Sequence, residues 1–340
     1  MIQSGDALEA AIDAVVPLFQ SGMRFVLTTH INPDGDGLGS QLALAAWLRD
    51  RGKEVKVINH SPTPAVYRFL DPARMIREFD AAHDASAIAS ADLIVIMDTN
   101  RPDRLRTMQD AVMASPAMRV CIDHHLDPAP FAQHYLIDDN ATSTGEIVYR
   151  LLLRLHGPDL TSEMAADLYA AIMTDTGSFR YPRVNTRTHE IAAHLIDRGA
   201  DPVAIYSEIY ERWSRGRIHL LGEMLASLET SHGGRVAHVA VTQDMLRRTQ
   251  TEEEDTENFT TYPMSVDGVR IGILFLELDR GVKISFRSRG NIPANALAAE
   301  FGGNGHLNAA GARIENGALA AVRKTVVDAA AKYLPPLTSP

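Results

Sequence analysis

Four segments of the chain gather side chains able to hold divalent cations. They are His30-Ile31-Asn32-Pro33-Asp34-Gly35-Asp36, Asp98, Asp123-His124-His125 and Asp175, and most of them directly follow a short apolar run. Two divalent cations held about 3.5–4 Å apart can together activate a water and neutralise the charge that develops on a phosphate. Holding such a pair takes several carboxylates, one of them shared, with imidazoles at the remaining positions. The carboxylates Asp34, Asp36, Asp98 and Asp175 balance two divalent ions in formal charge. Without cations they would repel one another and any phosphate. Taken singly, each residue has a plainer reading. An aspartate at a strand end commonly caps a helix or a turn, His30 could be a partnered polar residue, and His124-His125 a chance pair. Their recurrence at the ends of apolar runs argues for one site. The mixed oxygen and nitrogen donors favour Mn2+ over Mg2+, Co2+ or iron. A structural zinc site would want cysteines, and the chain has only Cys121.

Such a site needs a rigid frame. Apolar runs at 25–27, 55–58, 93–97 and 120–122 read as buried strands, with a helix over 38–51 closed by Gly52. That rhythm predicts an α/β fold with a parallel sheet, whose ligands gather beyond the carboxyl ends of the strands. After about residue 200 the pattern changes. A helical stretch over 202–230 reads as a connector. Beyond it come strands at 236–241 and 271–276, a hairpin bend at 279–281, a strand over 282–288, and helices before Gly302 and over 317–333. The expected domains are 1–200 (parallel sheet and metal site), 201–231 (helical connector) and 232–340 (a smaller mixed α/β domain). The acidic run 252–255 reads as a solvated loop.

In the second domain, a period-2 strand over 282–288 puts Val282, Ile284 and Phe286 on one face and Lys283, Ser285, Arg287 and Arg289 on the other. Arginine forks match phosphate oxygens, although an ordinary charged surface strand would look the same. The loop Gly302-Gly303-Asn304-Gly305-His306 reads as a backbone amide nest for an anion. Ser143 and Glu146 stand at capping-box spacing, so 142–146 reads first as a helix start and second as a site contact.

Bulk composition narrows the partners. With 33 basic against 43 acidic residues the net charge is −10, which disfavours a protein that coats long nucleic acid. The single cysteine excludes a disulfide scaffold and fits a reducing cytoplasm. The first 20 residues read as an amphipathic helix and not a signal peptide, and no apolar run nears the roughly 20 residues that span a bilayer.

The ordered motifs His30–Asp36 with Gly39-Ser40, Asp98, Asp123-His124-His125 and Asp175 resemble those of the DHH phosphoesterase superfamily. Gly302 to His306 with Ala309-Ala310-Gly311 resembles its DHH-associated substrate domain. Length and two-domain plan are most similar to the NrnA group, which degrades oligoribonucleotides of a few residues and dephosphorylates 3′-phosphoadenosine 5′-phosphate; relatives hydrolyse cyclic dinucleotides. The resemblance implies that His30, Asp34 and Asp98 hold one metal and that Asp36, Asp98, His124 and Asp175 hold the second. It further implies that His125 touches the reacting phosphate, that Asp123 orients the histidine pair, and that Ser285, Arg287, Arg289, Gly303, Gly305 and His306 bind substrate. Asn304 stands where members often carry glycine, a substitution that a left-handed backbone would tolerate. The expectation is a two-metal phosphoesterase of short oligonucleotides or small nucleotides. It would have neither membrane nor long duplex nucleic acid as partner, and a homodimer is compatible with it. The rivals are a RecJ-type single-strand exonuclease, a manganese pyrophosphatase and a catalytically silent nucleotide sensor.

Overall fold

The computed structural model describes residues 5–336, which divide into two compact units, one ending at Arg212 and one starting at Trp213. In the first unit, β1 (Arg24–Thr28), β2 (Glu54–Asn59), β3 (Ile76–Glu78), β4 (Leu93–Met97), β5 (Met118–Asp123) and β6 (His134–Ile137) form one sheet in the order β3-β2-β1-β4-β5-β6. Every pairing is parallel. Alternate side chains feed two cores. Phe25, Leu27, Val95, Met97 and Ile122 pack to one side, and Val26, Ile94, Ile96 and Cys121 to the other. The central strand β4 is accordingly apolar and buried at all its positions, as a doubly covered parallel strand must be. Cys121 is a packing residue of that second core.

The strand order reverses between β1 and β4, because the chain leaves β1 toward β2 on one side and returns to β4 on the other. Connections diverge there, and a crevice opens beyond the carboxyl ends. The helices of this unit are α1 (Gly5–Ser21), α2 (Gly35–Asp50), α3 (Ala81–Ser90), α4 (Gln109–Ala114), α5 (Thr144–His156), α6 (Ser162–Asp175), α7 (Thr186–Asp197) and α8 (Pro202–Tyr210). Helix α2 starts earlier than the expected 38, because the Asp34 carboxylate accepts the backbone amides of Asp36 and Gly37 and caps the first turn. Past its end, Gly52 takes the left-handed conformation (φ 68°) and donates its amide to Arg49 O.

The second unit contains α9 (Arg215–Ala226), β7 (Glu229–Ser231), β8 (Val236–Val241), α10 (Gln243–Thr249), β9 (Ile271–Glu277), β10 (Val282–Ser288), α11 (Ala294–Ala299), β11 (Asn304–His306), β12 (Ala309–Ile314) and α12 (Leu319–Ala330). Its sheet runs β11-β12-β10-β9-β8-β7 and is antiparallel except for the parallel β8–β9 pair. The stretch read as a connector is two helices. Ile205 and Ile209 of α8 pack into the first unit's core, whereas Leu220 and Met224 of α9 pack into the second's. The acidic run is not merely solvated: it forms a short 3-10 turn in which Glu253 pairs with Lys283 and Arg313.

Candidate metal centre

The first unit brings all six expected ligands to the mouth of its sheet. His30 follows β1, Asp98 follows β4, Asp123 ends β5 with His124 and His125 behind it, Asp34 and Asp36 open α2, and Asp175 ends α6. The last of these depends on close helix packing. A Cβ on Gly39 of α2 would stand 2.3 Å from the carbonyl oxygen of Asp167 on α6, and one on Gly35 would stand 2.5 Å from Thr174 Oγ1. Only bare backbone lets α6 lie this near, which carries Asp175 to the start of α2.

Three clusters result, in each of which the donor atoms lie within 4.8 Å of one another: His30 with Asp34 and Asp98; Asp36 with His124 and Asp175; and Asp98 with Asp123, His124 and His125. Asp98 belongs to two of them. It is buried, and its backbone is left-handed (φ 59°), a conformation uncommon outside glycine, asparagine and aspartate. His30 Nδ1 lies 2.7 Å from the Ile31 carbonyl, and its Nε2 faces Asp98 Oδ2 at 3.1 Å and Asp34 Oδ2 at 3.8 Å. A backbone carbonyl on one ring nitrogen is the usual way to orient an imidazole ligand through the other. His124 Nε2 faces Asp175, Asp98 and Asp36 oxygens at 3.4, 3.8 and 3.9 Å. These groups converge, most of them beyond hydrogen-bond reach of one another.

The electrostatics ask for cations. Burial, then the charges of Asp98, Asp175 and Asp34, push the Asp36 carboxyl well above the ordinary range, and burial followed by Asp34 does the same to Asp98. Asp175 is pushed up to about 7 by burial and by Asp34. Burial and the neighbouring His125 push the His124 imidazole down to about 3, so it stays neutral, as a ligand must be. The ring nitrogen His124 Nδ1 and the carboxylate oxygen Asp123 Oδ2 are buried with no hydrogen-bond partner. Crowded buried carboxylates around a neutral imidazole fit a pair of divalent ions. Protons would otherwise have to take the cations' place.

Around the ligands sits a second set of contacts. Asp123 Oδ1 accepts the His124 amide and lies 2.7 Å from His125 Nδ1. Although burial opposes it, this carboxylate raises His125 to about 9, and His125 in turn lowers Asp123. Asp36 receives the backbone amides of Thr144 (2.7 Å) and Gly145 (2.8 Å) from the start of α5, and Thr144 Oγ1 donates to Asp98 Oδ1 at 3.1 Å. The sequence reading put a helix start first and a site contact second for 142–146; Thr144 and Gly145 do both. Ser143 does cap α5, but the Glu146 carboxylate turns to Thr142 and Arg187. Arg104 was missed. Its Nη2 lies 3.1 Å from His30 Nδ1, the nitrogen that faces the Ile31 carbonyl, so it adds positive charge beside the ring and not a hydrogen bond to it.

In the second unit the strand reading gives the observed faces. Val282, Ile284 and Phe286 are buried, while Lys283, Ser285 and Arg287 are half-buried and Arg289 is exposed. Next to them across β9 stand Leu276 and Leu274, which are covered by α9 and its neighbours. Across β12 stand Gly311 beside Ser285 and Ala309 beside Arg287, followed on β11 by Asn304 and His306 in the same rows. Small residues thus separate Ser285 and Arg287 from the His306 position. The His306 side chain lies outside the described residues. Two expectations change. Lys283 is engaged by Glu253. The glycine loop does not offer a full amide nest: the Gly302 amide donates to Ala299 O and the Gly303 amide to Ala298 O, a Schellman cap that ends α11. Gly302 carries the left-handed φ of 74° and Asn304 is extended in β11, so the tolerance of Asn is not called upon. Gly303 and Gly305 instead permit close strand approach, since a Cβ would meet Gly311 O at 2.2 Å or Ala309 O at 2.5 Å.

Residues 24–172 match the model of the DHH family, N-terminal domain, and residues 233–333 that of the DHHA1 domain. The bifunctional oligoribonuclease and PAP phosphatase NrnA of Thermus thermophilus is 28% identical over 295 residues, covering 85% of this chain and 83% of the relative. The protein of the same name from Bacillus subtilis is 29% identical over 292 residues, covering 85% and 88%. The crystal structure of an exopolyphosphatase-related protein from Bacteroides fragilis is similar with a TM-score of 0.92 and 33% identity, over 96% of both chains.

Proposed function

The chain belongs to the DHH family, and from that premise we propose that it is a Mn2+-dependent phosphoesterase of short oligonucleotides and small nucleotides, including 3′-phosphoadenosine 5′-phosphate. The observation that carries this reading is the convergence of six aspartate and histidine ligands, drawn from five elements, on one crevice. One cation would be held by His30, Asp34 and Asp98 and the other by Asp36, Asp98, His124 and Asp175, with Asp98 shared. When bound, such a pair lowers the pKa of water and stabilises charge on a transferring phosphoryl group.

The chain's own groups supply orientation and proton control. The helix start at Thr144 and Gly145 fixes both oxygens of Asp36, and the Thr144 hydroxyl fixes one oxygen of Asp98. Asp123 fixes the ring of His125 and favours its protonated form. A cationic imidazole that is about a quarter exposed at its side chain is suited to meet the phosphoryl oxygen where negative charge grows. In the second unit, Arg287 and Ser285 stand beside the small residues Ala309 and Gly311, and with Arg289, whose guanidinium also donates to the Met264 carbonyl, they are suited to a terminal phosphate. A chain of net charge −10 with so local a basic surface favours small anions over long strands.

The test is a Mn2+-dependent panel of a dinucleotide, a 24-mer, 3′-phosphoadenosine 5′-phosphate, a cyclic dinucleotide and pyrophosphate. Turnover of the dinucleotide and of 3′-phosphoadenosine 5′-phosphate is expected, with little of the 24-mer and none of pyrophosphate. Preference for the 24-mer would instead indicate a single-strand exonuclease, turnover of pyrophosphate a pyrophosphatase, and binding without turnover a sensor.

A further inference from the structure

The segment that follows the ligand Asp175 is built in an unusual way. Gly177, Ser178 and Phe179 are consecutively left-handed (φ 57°, 59° and 61°), although serine and phenylalanine gain nothing locally from that conformation. Surrounding contacts hold it. Thr176 Oγ1 accepts the Phe179 amide at 3.0 Å, and Thr176 O accepts the amides of Arg180 and Tyr181, both at 3.0 Å. The Phe179 ring is wedged between Tyr169 and His189, with centroids 5.7 and 5.6 Å away. Strain maintained by its surroundings is a signature of function.

The turn delivers two side chains. The Tyr181 ring lies over bare Gly177, where a Cβ would stand 2.5 Å from its Cε1 and Cζ, yet the residue remains 49% exposed. One face is therefore pinned and the rest of the ring is open to solvent. Two residues on, Arg183 is exposed, and its carbonyl accepts the Asn185 side-chain amide while its guanidinium forms no hydrogen bond or ion pair among the described residues. A guanidinium that the fold leaves unengaged is available to phosphate oxygens.

We infer that Tyr181 and Arg183 form a nucleotide subsite of the first unit, with a substrate base stacking on the Tyr181 ring and the adjacent phosphate meeting the Arg183 guanidinium. An aromatic platform accepts any base, and a planar guanidinium matches phosphate oxygens. The inference deepens the phosphoesterase reading, from which it takes the class of ligand.

Calorimetric titration with AMP tests the subsite independently of turnover. Tyr181→Ala should weaken AMP binding about ten-fold, as expected for loss of one stacked base, while binding of ribose 5-phosphate, which has no base, stays as in the unaltered protein. Tyr181→Phe, which keeps the ring, should recover the lost affinity. Arg183→Gln should weaken both ligands. Unchanged AMP affinity in Tyr181→Ala, or equal losses for AMP and ribose 5-phosphate, would overturn the stacking role. Unchanged affinity for both ligands in Arg183→Gln would overturn the phosphate role. Absence of turnover together with Tyr181-dependent AMP binding would sink the enzymatic reading and leave the subsite standing.

Discussion

At the scale of single residues, the centre turns on Asp98. Its two carboxylate oxygens face different partners, Oδ2 toward His30 and Oδ1 toward the Thr144 hydroxyl and His124. Its amide is fixed to Ile122 O, which anchors the left-handed residue between β4 and β5. Asp98 belongs to two of the candidate cation clusters, and a carboxylate proposed to be shared in this way has no substitute nearby. Asp98→Ala should reduce Mn2+-dependent turnover of every substrate to background, and plasma mass spectrometry should find less than one metal per chain. Retention of two metals with normal turnover would refute the shared role. The acids and imidazoles of this centre were legible because their side chains announce them at strand ends. Thr144 and Gly145 were legible only as a second reading of 142–146, because a backbone amide has no residue-type signature and a helix start looks the same whether or not its amides meet a carboxylate.

At the scale of elements, the contact between α2 and α6 decides whether the ligands meet. Gly39→Ala would drive a methyl into the Asp167 carbonyl, which the backbone cannot yield without shifting α6. The substitution should cost about 1–3 kcal/mol of stability and, unlike a remote core change, should also weaken Mn2+ affinity by displacing Asp175 from Asp36. Helix α6 carries a second test in Asp167, a buried carboxyl with no hydrogen-bonding donor among the described residues. Burial, then Glu163 and Asp71, raises its pKa well above 3.8. An acid whose folded pKa is raised costs the fold nothing below the unfolded value and progressively more as pH climbs through the folded one. Asp167→Asn should therefore raise Tm at pH 8 by about 2–4 °C and leave it unchanged at pH 3.5; equal shifts at both pH values would exclude the charge as the cause. The same scale shows where the sequence was readable. Strands β1, β4 and β10 announce themselves by apolar runs or alternation, whereas the edge strands β3 and β6 are short and, as Ile76-Arg77-Glu78 shows, carry no such pattern. The α2–α6 approach was hidden as well, since Gly35 and Gly39 near an Asp-Gly-Asp run look like turn residues until α6 is laid against them.

At the scale of the whole molecule, chemistry and stability are divided between two units with separate cores. All six proposed cation ligands belong to the first. Each unit also holds one of the chain's two tryptophans: Trp47 is buried in the first core, and Trp213 packs on Phe259 and under Arg217 in the second. Tryptophan fluorescence can therefore follow each unit alone. In Trp213→Phe the melting signal comes from Trp47, and in Trp47→Phe from Trp213. A ligand that binds only the folded first unit stabilises that unit by about 2.7 kcal/mol at a hundred times its Kd. Saturating Mn2+ should accordingly raise the midpoint reported by Trp47 by several degrees and leave the midpoint reported by Trp213 where it was, with chelation by EDTA reversing the shift. Equal movement of both midpoints would mean that the units unfold as one cooperative body. Movement of the Trp213 signal alone would put the cation site in the second unit, against the convergence of His30, Asp34, Asp36, Asp98, His124 and Asp175 in the first.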